Sequence, residues 1–215
     1  AVFGFGAAVL FVWQFTPGSP ATMRGMFWGV VWLMVLLVPA ISMRLISEEL
    51  RTGTIEPLMT APLSDGQVVV GKWLGAMAFM AVLLLAPLTL LTITMEMHAD
   101  PEIAPIVVGC VGLLLVGGLY LAIGIFASAL TQNQIIAFVT TILIICLFTF
   151  VTYFVAESNI VSYPMRKVLN YLNINRQFEP FSKGMVDTSR IIFFVTGIGL
   201  FLFLSMKVVE SRRWR

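Results

Sequence analysis

Long continuous apolar runs, broken by short polar interruptions, are the dominant pattern of this chain. They occupy residues 1–15, 23–46, 66–97, 104–130, 135–156 and 189–206. A helix crosses a bilayer with about 17–25 mostly apolar residues. All runs but the first reach that length, so the pattern predicts an all-α integral membrane protein with about six spans. A membrane β-barrel would instead show alternating segments of about 10 residues.

The interruptions predict the connections. T-P-G-S-P at 16–20 is a turn by composition. Ser64 or Asp65 is placed to cap the third span. Pro39 and Pro87 fall inside spans two and three, where proline is tolerated and predicts kinks. T-Q-N-Q at 131–134 is a tight polar turn. Span four carries Gly109, Gly112, Gly117, Gly118 and Gly124, and small residues in a lipid helix let neighbouring backbones approach closely. Residues 157–187 hold four basic and three acidic side chains, with an amphipathic stretch at 165–174. That segment predicts short helices lying at the interface or dipping partway in.

Composition agrees with lipid as the solvent. Hydrophobic residues make up 59% of the chain and charged residues 11%, where a soluble domain is about a quarter charged. The mean hydropathy is +0.97. Cys110 and Cys146 lie inside apolar runs and suggest neither a disulfide framework nor a metal spacing. A net charge of +2 gives no footprint for nucleic acid. Ala1 already sits in an apolar run, so the expectation is a chain that starts late, with a cytoplasmic segment preceding it. A cleaved signal peptide is the competing reading, but no charged n-region or A-x-A site is present.

Charge changes the picture at one place. Residues 47–57 read S-E-E-L-R-T-G-T-I-E-P and carry Glu48, Glu49 and Glu56, three of the eleven acidic residues. With six spans, this segment shares a side with Arg44, Arg51, Lys72, Lys207, Arg212, Arg213 and Arg215. The opposite side holds Arg24, the long 157–187 segment and Arg190, and the loop between spans three and four has only His98. Counted over short loops, the basic excess puts residues 47–57 and both termini in the cytoplasm. Ser47 is expected to cap a short helix whose first turn holds Glu48 and Glu49, where the helix dipole favours acids. Gly53 interrupts that helix and Pro57 ends it. The product is a polar helix parallel to the membrane, presenting Arg51, Thr54 and Glu56 outward. It suits docking to a soluble partner, because no base–nucleophile pair accompanies it.

Three other patterns carry less. G-Q-V-V-V-G-K-W at 66–73 matches G-x-x-x-x-G-K, but Trp73 stands where a phosphate loop needs Ser or Thr, and no strand precedes it. Its glycines read as close helix packing, in the small-x-x-x-small pattern of Gly71 and Gly75. Glu96, His98, Asp100 and Glu102 read as a solvated loop rather than a metal site. The central parts of spans one, four and five carry no charge, which argues against an ion-coupled carrier or a charged pore. No His–Glu or Ser–Lys pair lies deep in the spans to support intramembrane catalysis.

Against this background E-E-L-R-T-G-T-I-E-P-L-M-T-A-P-L-S at 48–64 resembles the segment between spans two and three of type-2 ABC transporter permeases. G-K-W-L-G-A at 71–76 and F-E-P-F-S-K-G-M-V-D-T-S-R-I-I-F-F at 178–194 are similar to the same family. Within it the chain looks nearest to the gliding-motility-type permeases of bacteria. The resemblance runs through nearly the whole chain, residues 1–215, as one permease domain.

The resemblance implies six spans, short extracytoplasmic or re-entrant helices at about 161–184, and an amphipathic helix before span one that these residues lack. It implies a multi-pass protein of the bacterial inner membrane, serving as the transmembrane subunit of an ATP-driven exporter. A second permease chain, identical or a close paralogue, would complete the path. Separate ABC ATPase subunits would bind ATP and Mg²⁺, so this chain would be no enzyme and hold no cofactor. By position, Ser47, Glu48, Glu49, Arg51, Thr52, Gly53, Thr54 and Glu56 would form the coupling helix that meets the ATPase. The alternative is a membrane scaffold that recruits a cytoplasmic partner through the same segment and moves nothing.

Overall fold

A computed structural model describes residues 23–53, 64–97, 102–158 and 161–213, together with Gly4, Gly6 and Val9. Among the described residues all regular structure is helical. In chain order the elements are α1 (Arg24–Ser42), α2 (Ser47–Thr52), α3 (Asp65–Glu96), α4 (Ile103–Leu130) and α5 (Gln134–Cys146). A π turn (Leu147–Val151) joins α5 to α6 (Thr152–Glu157), and α7 (Tyr163–Leu172), α8 (Ile174–Ser182) and α9 (Thr188–Arg213) follow. Among the described residues five helical stretches are long and apolar enough to cross a membrane: Arg24–Thr52, Asp65–Glu96, Ile103–Leu130, Gln134–Glu157 and Thr188–Ser211. The run expected as span one lies outside the described residues, apart from Gly4, Gly6 and Val9.

Helix α4 is the hub. Its most apolar window is 67% buried, against 44% or less for the other long helices, and α1, α3, α5, α8 and α9 all pack on it. Missing side chains make this possible. A Cβ at Gly124 would overlap Ser42 Oγ of α1, and one at Gly117 would overlap Met80 of α3 and Met34 of α1. Phe27 fills the space over Gly109, and Phe181 the space over Gly112. Trp73 Nε1 donates to the Gly118 carbonyl at 3.0 Å, adding a polar tie between α3 and α4. Such close approach is how helices associate in lipid, where apolar side chains gain nothing by leaving the acyl chains.

The glycines of α3 behave differently. A Cβ at Gly71 or Gly75 would meet nothing within 4 Å. Both are exposed, so among the described residues this pair makes no close packing within the bundle.

The ends of the elements follow local chemistry. Ser64 caps α3 in a full capping box: its side chain accepts from the Gln67 N–H, and Gln67 Oε1 accepts from the Ser64 N–H at 2.9 Å. Asn133 Oδ1 accepts from the Ile135 N–H at 2.9 Å and starts α5. Helices α1 and α3 run on through Pro39 and Pro87. Helix α9 continues to Arg213, beyond the expected end at 206, because buried Val209 packs with Ile46, Val69 and Ala129, and Lys207 pairs with Glu210 at 2.7 Å.

The 157–187 segment forms two unlike helices. No residue of α7 is buried, whereas Ile174, Phe178 and Phe181 of α8 enter the bundle against α4 and α1. The amphipathic stretch expected at 165–174 is cut at Asn173. There Oδ1 accepts from the Arg176 N–H at 3.0 Å and opens α8, while Nδ2 donates to the Thr149 carbonyl at 2.7 Å and to Thr152 Oγ1 at 2.8 Å. One buried side chain thus starts α8 and bolts it to the π turn.

Replacing Gly124 with Ala should lower the thermal midpoint of the purified protein, at an overpacking cost of about 1–3 kcal/mol. Ser42→Gly in the same chain should recover most of the loss by vacating the clash. A Gly124→Ala protein as stable as the parent would show that α1 and α4 are not held at this distance.

Candidate functional site

The site is built where α1 ends. Span two was expected to reach residue 46, but α1 stops at Ser42 and residues 43–46 form a turn. The turn is held by side chains from elsewhere. Ser128 Oγ of α4 accepts from the Ile46 N–H at 3.1 Å and the Ser47 N–H at 2.9 Å, and donates to the Met43 carbonyl at 3.1 Å. Ser47 Oγ also donates to the Met43 carbonyl. Lys72 Nζ of α3 donates to the Leu45 carbonyl at 2.7 Å and pairs with Glu49 Oε1 at 2.5 Å. Orphan backbone groups at helix ends need such partners.

This corrects one sequence expectation. Ser47 does not cap α2 with its own side chain: the N-cap is Ile46, and the Ser47 hydroxyl points back to the preceding turn. Ser128, 81 residues further along, supplies the acceptor instead.

Beyond this anchor α2 is short. Glu48 and Glu49 occupy its first turn and Arg51 its last, each on the side the helix dipole favours. Gly53 closes it at φ 74°, the left-handed conformation in which glycine pays no steric cost. Ser47 is buried and Glu49 half-buried, while Glu48, Arg51, Thr52 and Gly53 are exposed. Thr52 Oγ1 donates to the Glu48 carbonyl at 2.9 Å. The second Glu49 oxygen is buried without a hydrogen-bond partner. Thr54, Glu56 and the stop at Pro57 lie outside the described residues.

The structure thus brings Ser47, Glu48, Glu49, Arg51, Thr52 and Gly53 into one element. It adds Ser128 and Lys72, which sequence reasoning missed. In the sequence Lys72 counts only among the basic residues on the side of the 47–57 segment, and Ser128, two residues before the end of α4, looks like a routine part of a span.

The other candidates end here. The G-x-x-x-x-G-K stretch lies wholly within α3 after its Ser64 cap, so its amides from Gln67 onward are taken by the cap and the helix, and its lysine is engaged by Glu49. Among the described residues no group of three or more His, Cys, Asp or Glu side chains is placed to hold a metal; His98 and Asp100 lie outside them.

A chain of long apolar helices around a glycine-notched centre, with a polar element tied to one end, is a multi-pass helical membrane protein. It belongs to the ABC-2 transporter family: the family described as "ABC-2 family transporter protein" matches residues 29–209. That family is the permease, the transmembrane component of ABC transporters and not the catalytic one, and membership implies partnership with an ABC ATPase. No curated protein matches the chain.

Ser128→Ala should leave the Ile46 and Ser47 amides without an acceptor, at about 1–3 kcal/mol for each buried group. Hydrogen exchange over residues 46–52 should then accelerate, by about tenfold or more, while exchange in mid-α4 stays slow. Unchanged protection of 46–52 would mean that Ser128 does not anchor α2.

Proposed function

We propose that the chain is the transmembrane subunit of an ATP-driven exporter, and that α2, with the residues following it, is the coupling helix on which a separate ATPase subunit acts. In this reading α2 faces the cytoplasm of a bacterium. The chain has six spans and pairs with a second permease, identical or a close paralogue, and the ATPase carries the ATP and Mg²⁺. Within the family it would be a permease of the gliding-motility type.

One observation carries the reading: α2 is exposed on its outer side and fastened on its inner side to two different spans. Glu48, Arg51, Thr52 and Gly53 would meet the partner together with Thr54 and Glu56. Ser47 and Glu49 would serve from behind, as anchors. A push on α2 would reach α4 through Ser128 and α3 through the Glu49–Lys72 pair, and α4 touches every other long described helix. Closure of the paired ATPases on ATP would then bias two arrangements of the permease pair by differential contact energy, which is all a ligand can do to an equilibrium. An ordinary loop would absorb such a push by bending.

Arg51→Glu and Glu56→Arg reverse charge at positions read as partner contacts, without touching the anchor. Both should insert and express normally yet lose most of the ATPase on co-purification, and transport with it. Normal co-purification and normal transport by both variants would sink the assignment. Retention of a partner that hydrolyses no ATP would favour the scaffold.

A further inference from the structure

At the end of the bundle opposite α2 the fold leaves a cleft with two chemically distinct compartments. The first, about 630 Å³, lies among α7, α8 and the start of α9, and is lined by Lys167, Asn170, Tyr171, Arg176, Glu179 and Arg190. The second, about 440 Å³, runs down between the π turn and α9 with α4 as its floor; Leu119, Phe148, Phe193, Thr196, Leu200 and Phe201 line it. Tyr171 and Leu172 line both, so the two share a wall at the α7–α8 junction. Each volume falls within the range of about 300–1,000 Å³ usual for ligand pockets.

The upper compartment is basic. Three cations face one carboxylate, and that carboxylate, Glu179, is already paired with Lys183 at 2.5 Å. Arg176 pairs with Glu157 at 2.7 Å, whereas Lys167 has no carboxylate partner among the described residues. Arg190 gives one N–H to Gln177 Oε1 at 2.5 Å, but its Nε is buried without a hydrogen-bond acceptor. Asp187 lies 3.4 Å from that Nε, near enough for charge and outside bonding geometry. Asn170 Oδ1 is also buried and unpaired. Buried polar atoms normally find partners, and both of these belong to residues that line the basic compartment.

The lower compartment is apolar and opens sideways. From Phe193 to Phe201 it follows α9 for about 12 Å at 1.5 Å per residue. Ile192, Val195, Leu200 and Phe203 of α9 are exposed, as befits a surface in contact with acyl chains. A soluble phosphate would fill only the upper compartment, and a plain hydrocarbon only the lower.

We propose that the cleft seats one phosphate-bearing membrane lipid, its anionic head on Lys167, Arg176 and Arg190 and an acyl chain along Phe193–Phe201. The guanidinium forks and the ammonium match phosphate oxygens as charge-assisted donors. The seat is independent of whether α2 docks an ATPase.

The test uses the whole protein in bilayers of phosphatidylcholine with a minor share of phosphatidylglycerol, reading the bound lipid by native mass spectrometry. The wild type should retain one phosphatidylglycerol in preference to phosphatidylcholine. Lys167→Glu should cut the retained fraction about five- to tenfold, from the worth of one cation near a lipid surface. Thr196→Phe, which fills the lower compartment from an exposed position, should cut it comparably. Lys207→Glu, at the far end of α9, should leave it unchanged. The proposal is overturned by wild-type retention in both cleft variants or by an equal loss in Lys207→Glu. Binding of glycerol phosphate as tight as the lipid overturns it, as does efficient crosslinking of Leu200→Cys between two copies, which would put a second chain in the groove.

Discussion

Everything in this bundle depends on how close other helices come to α4. Lipid provides no hydrophobic force to drive helices together, so contact has to come from van der Waals fit and a few polar ties. The notches at Gly109, Gly112, Gly117 and Gly124 let Phe27, Phe181, Met80 and Ser42 reach the α4 backbone. The result is a helix more buried than the others, with a different neighbour on each face. The other long described helices are less buried, at 44% or less of their most apolar windows against 67% for α4.

The two ends of that hub are used differently. At one end Ser128, four residues after Gly124, is carried to the turn after α1 by the same close packing, and there it receives two amides. The approach permitted by a missing side chain on one turn makes a hydrogen bond possible on the next. At the other end α8 wedges Phe178 and Phe181 against α4 and leaves α7 outside. The cleft beside α9 lies between α8 and the π turn, with Ile174 and Phe148 among its lining residues.

Much of this was legible in the amino acids. Continuous apolar runs marked the five described spans to within a few residues at most ends, the glycines of span four announced close contacts, and Gly53 announced the end of the short polar helix. Tertiary partners were not legible. Lys72 and Ser128 act on groups 23 to 85 residues away, and no periodicity registers such distances. Ser47 reads as a cap, yet it falls one position inside α2, and its hydroxyl donates back to the Met43 carbonyl. Gly71 and Gly75 have the spacing of a packing motif without a neighbour among the described residues. Whether a small residue makes a notch or merely a gap depends on which way its face turns, which the local pattern does not specify.

The π turn has an effect that spreads along the chain. Its hydrogen bond from Thr152 to Leu147 accommodates one more residue than an α turn. Everything after it is therefore rotated by about 100° from where an unbroken helix would put it. That rotation gives the end of the span a new azimuth: Tyr153 lies under Arg176 at 5.9 Å, and Glu157 reaches the same guanidinium. The span behaves as two helices on one axis, each phased for a different neighbour. The lower half is phased for the bundle and the upper half for the caps above it. A single inserted residue lets one membrane crossing satisfy two surroundings that no straight 3.6-residue repeat could serve together.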